Sequence, residues 1–205
     1  MASVEYFCVA DFGSLGLQIS FFCINGADKV PLRCIGHAGT MNLSGNVIDE
    51  AIMGTQEETV AAEMAKELHT TCTDVRTTKE WERMLPKLRK AAKTLKQKLL
   101  NMKSHEETFE AMFDTLDVTI SLTDKELAQI FSAKAEFLLS TLNDCVADAC
   151  SNTKLDSIPI SKVLLTGGSS LLVPFRETFS AALKQRLDTH LLHLPHIFLP
   201  LSLYR

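Results

Sequence analysis

The chain opens on stretches whose apolar and polar residues follow the spacing of strands. Val4 to Ala10 is a β-rich run, Asp11-Phe12-Gly13-Ser14 has turn chemistry, and Leu15 to Ile24 is a second run. Asn25-Gly26 supplies the positive-φ pair that a tight hairpin needs, and Val30 to Ile35 completes a predicted three-strand meander. The first two runs are apolar on both faces, the pattern of central strands. Gly36 to Gly45 reads as a small-residue loop, and helical periodicity begins at Asn46. Thr55-Gln56-Glu57-Glu58 has the form of a capping box, followed by Val60, Met64 and Leu68 at helical spacing.

A second helix, from about Thr78 to Met102, gathers Trp81, Leu85, Leu88, Ala92, Leu95, Leu99 and Met102 on one face. Pro86 inside it predicts a kink or a fresh helix start. Thr108 to Phe113 and Val118 to Leu122 alternate as a β pair. Thr123-Asp124-Lys125-Glu126 is a second capping box, opening a long helix with Leu127, Phe131, Leu138, Leu142 and Val146 on its face. Lys154 to Ser161 is a loop, Lys162 to Thr166 a short buried strand, and Gly167-Gly168-Ser169-Ser170 leads into a helix ending near Leu187. Strands and helices are mixed without a strict βαβ repeat.

Composition narrows the class. With 205 residues, 46% apolar and 22% charged, the chain suits one globular domain or two small lobes and excludes disorder. A net charge of −4 speaks against a broad grip on nucleic acid. No uncharged apolar run reaches the ~20 residues of a membrane span, and the first residues lack the basic region of a secretory signal. Six cysteines without a C-x-x-C pair point to a reduced, cytoplasmic chain, with Cys8 and Cys23 acting as small hydrophobes. Arg76 to Lys103 carries ten basic residues against two acidic, with Trp81 its sole aromatic, which fits a solvated helix face better than a base-stacking surface. His190, His193 and His196 are spaced at i, i+3 and i+6, but Pro195 breaks the helix that would align them, so no metal site is expected.

Two glycine turns each follow a buried strand: Asp11-x-Gly13 and Gly167-Gly168-Ser169. Glycine lets backbone approach a phosphate or ribose closely, and helix-start amides favour anions. Asp11 is placed to hold a metal through water. Each turn alone also fits a plain tight turn; their joint order favours function.

Four stretches carry a family resemblance. Val9-Ala10-Asp11-Phe12-Gly13-Ser14-Leu15-Gly16-Leu17-Gln18-Ile19-Ser20 resembles the second phosphate hairpin, D-L-G-G-G-T-F-D-V-S, of the seventy-kilodalton heat-shock chaperones (DnaK type). Asn42 to Asp49 resembles their H-L-G-G-E-D-F-D, and Lys87 to Lys96 their adenosine-side helix R-L-R-x-A-x-E-x-A-K. Lys162 to Ser170 resembles V-x-L-V-G-G-S-T. The similarity covers about residues 4–183. It implies an α/β fold: a ribonuclease-H/actin-like ATPase lobe with a mixed sheet and an inserted helical subdomain. The expected basal sheet subdomain spans 1–36 and 160–187, the helical upper subdomain 37–159, and a divergent Leu/Pro-rich tail 188–205.

The resemblance implies ATP/ADP with Mg as cofactor. Asp11, Gly13 and Ser14 would face phosphate or metal, Gly45 the same cleft, Lys93, Lys96 and Gln97 the ribose and adenine side, and Gly167, Gly168 and Ser169 the nucleoside. The departures are specific. Leu15 and Gly16 replace Gly-Thr. Gln18 replaces an Asp that arranges metal and water, as in the family's larger, nucleotide-exchanging relatives. Lys93 stands for Glu, Gln97 for Arg, Leu100 for Ser, and Leu171 for the adenine-stacking Arg. At roughly 0.5–1.5 kcal/mol per polar contact, four losses weaken nucleotide binding by about 2–6 kcal/mol, or roughly one and a half to four decades. The family's first lobe, with its catalytic Lys, would lie upstream of Met1, so no catalytic residue is assigned and the chain is not expected to hydrolyse ATP alone. The expected partners are adenine nucleotide and a co-chaperone or nucleotide-exchange partner, with no nucleic acid and no membrane span. The alternative is a nucleotide-free pseudo-ATPase that docks a co-chaperone or a ribosome-associated partner.

Overall fold

A computed structural model describes residues 4–26, 32–100, 103–112, 115–186 and 196–198. By its internal contacts the chain divides into two compact units, one of residues 1–45 with 133–205 and the other of 46–132. These boundaries differ from those at 36 and 160 that the family resemblance implied, because the helix 135–153 packs on the sheet.

The first unit is a five-stranded mixed sheet. β1 (Val4–Phe12), β2 (Leu17–Asn25) and β3 (Leu32–Thr40) form the antiparallel meander expected from the apolar runs. β6 (Ile160–Thr166) runs parallel to β1 on its other side. His196–Phe198, labelled β7, adds a parallel edge strand, giving the order β3-β2-β1-β6-β7. Part of the divergent tail therefore extends the sheet. His190 and His193 lie outside the described residues.

One face of β1 and β2 is fully buried through Cys8, Ala10, Phe12, Leu17, Ile19 and Phe21. The helix α5 (Ala135–Thr153) covers the β2–β3 side, and the Cys145 thiol donates to the Ile19 carbonyl at 3.3 Å. Burial pushes the Cys145 thiol up to about 12, which keeps it protonated and unreactive. All six cysteines are free. The helix α6 (Val173–Arg186) packs Phe175 on Phe12, with ring centroids 4.7 Å apart.

The residues 36–40, expected as loop, continue β3. Small side chains here serve packing: a Cβ on Gly36 would lie 2.6 Å from the Cys145 carbonyl oxygen and 2.7 Å from the Ala149 Cβ. Gly36 thus lets α5 lie directly against the strand.

The second unit holds α1 (Gly45–Glu67, its first residue counted with the sheet), α2 (Cys72–Val75), α3 (Lys79–Lys98), the hairpin β4 (Ser104–Met112) and β5 (Leu116–Thr123), and α4 (Asp124–Ser132). The Thr55 capping box is not used as one. Thr55 lies inside α1, where its hydroxyl donates to the Ile52 carbonyl at 2.7 Å. α3 begins where expected, with Thr78 accepting from the Trp81 amide at 3.1 Å, and it runs through Pro86 as a single helix. Trp81, Leu88, Ala92, Leu95 and Leu99 are buried, together with Met84 and Ala91.

The second capping box is formed reciprocally. The Glu126 carboxylate accepts from the Thr123 amide at 2.8 Å, and Thr123 Oγ1 accepts from the Glu126 amide at 3.2 Å. The long helix it was expected to open is two helices, α4 and α5, broken at 133–134. The break coincides with the boundary between the units, so Leu127 and Phe131 serve one core while Leu138 and Leu142 serve the other.

Candidate functional site

In the sheet unit, both glycine turns lie at one end of the strands. The β1–β2 turn closes with the Gly13 amide donating to the Gly16 carbonyl at 2.9 Å. That turn sets the register Phe12↔Leu17 and hence Asp11↔Gln18. The same register level carries Thr166 on β6 and Gly39 on β3. Directly paired positions share a sheet face, so Thr166, Asp11 and Gln18 form a polar row that ends at the bare backbone of Gly39.

The second turn lies across the end of β1. Gly167 has φ +83°, and a Cβ there would collide with the Phe12 carbonyl and reach 2.5 Å from Asp11 Oδ1. Glycine is required by both conformation and space. A short 3-10 turn, Gly168–Leu171, follows, fixed by the Ser170 hydroxyl donating to the Gly167 carbonyl at 2.7 Å. Gly45 is drawn into the same corner: its amide donates to the Gly13 carbonyl at 2.8 Å. An added Cβ on Gly45 would stand 2.5 Å from Ser169 Oγ and 3.2 Å from Ser14 Cα. The structure therefore brings together Asp11, Gly13, Ser14, Gly45, Gly167, Gly168 and Ser169 as a corner walled largely by backbone. Beside it lies an open hollow of about 460 Å³ along the β1–β2 turn and the end of β3.

Lys93, Lys96 and Gln97 belong to α3 in the other unit. Lys93 and Gln97 are exposed. Lys96 is buried, its ammonium 2.6 Å from Asp49 Oδ1 of α1, with side-chain exposures of 10% and 6%. Burial pushes the Asp49 carboxyl above its ordinary value, while the bonded Lys96 and the nearby Lys93 pull it back. Five basic side chains of the 76–103 segment are tied to carboxylates: Arg76 to Glu58, Lys87 to Glu110, Arg89 to Glu50, Lys96 to Asp49 and Lys98 to Glu107. Trp81, the aromatic of that segment, is 6% exposed and offers no stacking face.

Sequence reasoning did not assign Thr166, Thr40 or Met41 to the site. The signal for Thr166 was its position directly before Gly167. Thr40 and Met41 line the hollow because β3 continues to residue 40, pairing Leu17 with Thr40. Among the described residues there is no group of three or more metal-ligating side chains, and no helix is long and apolar enough to cross a membrane.

A search of curated proteins returns no match. A family model described as Hsp70 protein matches residues 5–191. The match takes in both glycine turns, the polar row between them and the inserted helical unit, and the chain belongs to the Hsp70 protein family, with the actin-like ATPase fold of its nucleotide-binding domain.

Proposed function

We propose that this chain is a nucleotide-gripping lobe of a chaperone-type ATPase, one that holds adenine nucleotide and does not hydrolyse it alone. Domains of this family hold ATP or ADP as the magnesium complex, the ion neutralising phosphate charge. The observation that carries the reading is the corner of Gly13, Gly45 and Gly167. Gly45, itself buried, and Gly167 let backbone close tightly against Ser169 and Phe12, and Gly13 leaves the adjoining turn without a side chain, which supports close approach by a phosphate or ribose. The donor set fits the metal only in part. Asp11 faces Gln18 across the hairpin, an amide where active members carry a second carboxylate. Asp11 would orient metal-bound water, Gly13 and Ser14 would meet phosphate, and Gly168 and Ser169 the nucleoside. A single carboxylate supports grip more than turnover.

The second reading is a docking module that has lost nucleotide. It is favoured by Lys96, whose ammonium is committed to Asp49 at 2.6 Å, and by Leu171 in place of the adenine-stacking Arg. The family membership and the six free thiols support a cytoplasmic chaperone acting with a co-chaperone or exchange factor, in keeping with a stress-response role.

Calorimetric titration with Mg-ADP tests the reading. Dissociation constants near or below about 100 μM, tightened roughly tenfold (~1.4 kcal/mol) by Gln18→Asp, are expected if Asp11 and residue 18 jointly serve the metal. No heat at millimolar Mg-ADP from either protein would leave the docking module.

A further inference from the structure

We propose that Ser20 and His37 form a dyad that takes an acyl group from a small activated ester, with Ser20 as nucleophile and His37 as general base. Ser20 Oγ and His37 Nδ1 lie 2.8 Å apart across the β2–β3 ladder. That is a separation at which a hydroxyl can pass its proton to an imidazole. In the tautomer that carries its proton on Nε2, Nδ1 accepts from the Ser20 hydroxyl. The inference goes beyond the nucleotide reading and uses none of the residues of the glycine corner.

Both groups stand on fixed backbone. β3 is an edge strand of the sheet, and α5 holds it in place. The His37 amide donates to Asp148 Oδ2 at 3.1 Å, and Asn152 Nδ2 donates to the Ile35 carbonyl and to Asp148 Oδ1, each at 2.9 Å. Asp148 thus anchors the main chain of His37, while Ser20 orients its ring. A contact carried by paired strands keeps its geometry better than one carried by loops. The surroundings select the donor. Ser20 pairs with Val9 and Val9 with Leu164, so these side chains share one face of the sheet with His37. On the next rung Phe7 stacks on Phe22, with ring centroids 5.3 Å apart. Ser20, Val9, Leu164, Phe7 and Phe22 are half-buried, and His37 is exposed. An acyl group therefore meets apolar ground beside the hydroxyl, and the base opens to solvent. Ser20 Oγ attacks the ester carbonyl and forms the acyl-serine bond as the bond to the leaving oxygen breaks. The leaving group departs as its oxyanion, and the hydroxyl proton passes to His37 Nδ1 and on to solvent.

The full chain treated with p-nitrophenyl acetate near neutral pH tests the dyad, with peptide mass spectrometry locating each acetyl group over time. Ser20 is expected to gain acetyl about tenfold or more faster than Ser140, which is exposed on α5 and bonded to no histidine among the described residues. His37→Gln, which keeps a hydrogen-bonding side chain on the strand, should bring Ser20 down to the pace of Ser140. Ser20→Ala should remove the matching share of p-nitrophenolate release. The comparison of the two serines is made within the unaltered protein, so it stands whatever the variants do to stability. Ser20 acetylated no faster than Ser140 overturns the proposal and leaves a plain cross-strand hydrogen bond. Fast acetylation of Ser20 that survives His37→Gln overturns it as well.

Discussion

Alanine placed in turn at Gly13, Gly45 and Gly167 should destabilise the sheet unit in a graded order set by what each Cβ meets. At Gly13 the nearest atom is the Gly16 carbonyl oxygen at 3.8 Å, ordinary contact. The change there should stay within about 0.5 kcal/mol. At Gly45 the Cβ would stand 2.5 Å from Ser169 Oγ and 3.2 Å from the Gly13 carbonyl oxygen. Overpacking of this kind costs about 1–3 kcal/mol, and the closest offending atom is the end of a small side chain. At Gly167 the obstacle is the Phe12 backbone, which has no rotamer to yield, and φ is +83°. About 1–3 kcal/mol for a positive φ with extended ψ (144°), a nearly glycine-only region, adds to about 1–3 kcal/mol of overlap, giving roughly 2–6 kcal/mol. Near 200 residues each kcal/mol moves the midpoint by about 2–4 °C, so Gly167→Ala should lower Tm by roughly 4–24 °C.

Thermal unfolding followed by circular dichroism reads the series, and Ser169→Ala provides its internal control. Removing Oγ should restore much of the loss in Gly45→Ala and none of it in Gly167→Ala. A Gly167→Ala protein that melts with the unaltered chain, or a Gly45→Ala loss indifferent to residue 169, would falsify the geometry of the corner.

Three other outcomes test the packing elsewhere, within each unit taken by itself. Gly36→Ala, whose Cβ would meet α5 backbone at 2.6 Å, should cost about 1–3 kcal/mol, whereas Gly54→Ala, in helix α1 with nothing within 4 Å, should gain about 1 kcal/mol; urea denaturation must show opposite signs. Thr123→Ala removes the capping hydroxyl from the start of α4 and should cost about 1 kcal/mol by the same measurement. For Asp49, a folded pKa above the unfolded one means that the native state holds the proton more tightly. Its contribution to stability is therefore fullest below about pH 4 and is lost as pH rises through the raised value. The stability difference between the unaltered chain and Asp49→Asn should accordingly fall from pH 3 to pH 8, and a flat difference would exclude the burial effect.

What was legible in the sequence follows the range of the forces involved. The Thr78 cap and the Thr123–Glu126 box are settled within four residues of chain, and each stands where it was expected, whereas the positive-φ positions among the described residues are His69, Lys154 and Gly167 and not the Asn25-Gly26 pair expected to make a tight hairpin. Thr55 shows the limit of that logic: the same local pattern lies inside a helix because Ile52 and Ile48, about one and two turns earlier, are already buried as part of α1. Gly36 looked like loop because a glycine that thins a strand for a helix about 100 residues away has the same letter as one that bends a turn. The candidate site divides along the same line. Gly167 was legible because its constraint is on its own backbone, and the tight β1–β2 turn carries Asp11 to Gln18 by register alone. Lys96 was legible as a member of a motif but not as the partner of Asp49, 47 positions earlier, since nothing local to α3 announces that ion pair. That pair is also where family resemblance and geometry pull apart. An ammonium 2.6 Å from a buried carboxylate gives up that contact only at the cost of leaving the carboxylate charged and uncompensated. On the nucleotide-gripping reading, a nucleotide that engages Lys96 must therefore compete with Asp49 for its ammonium.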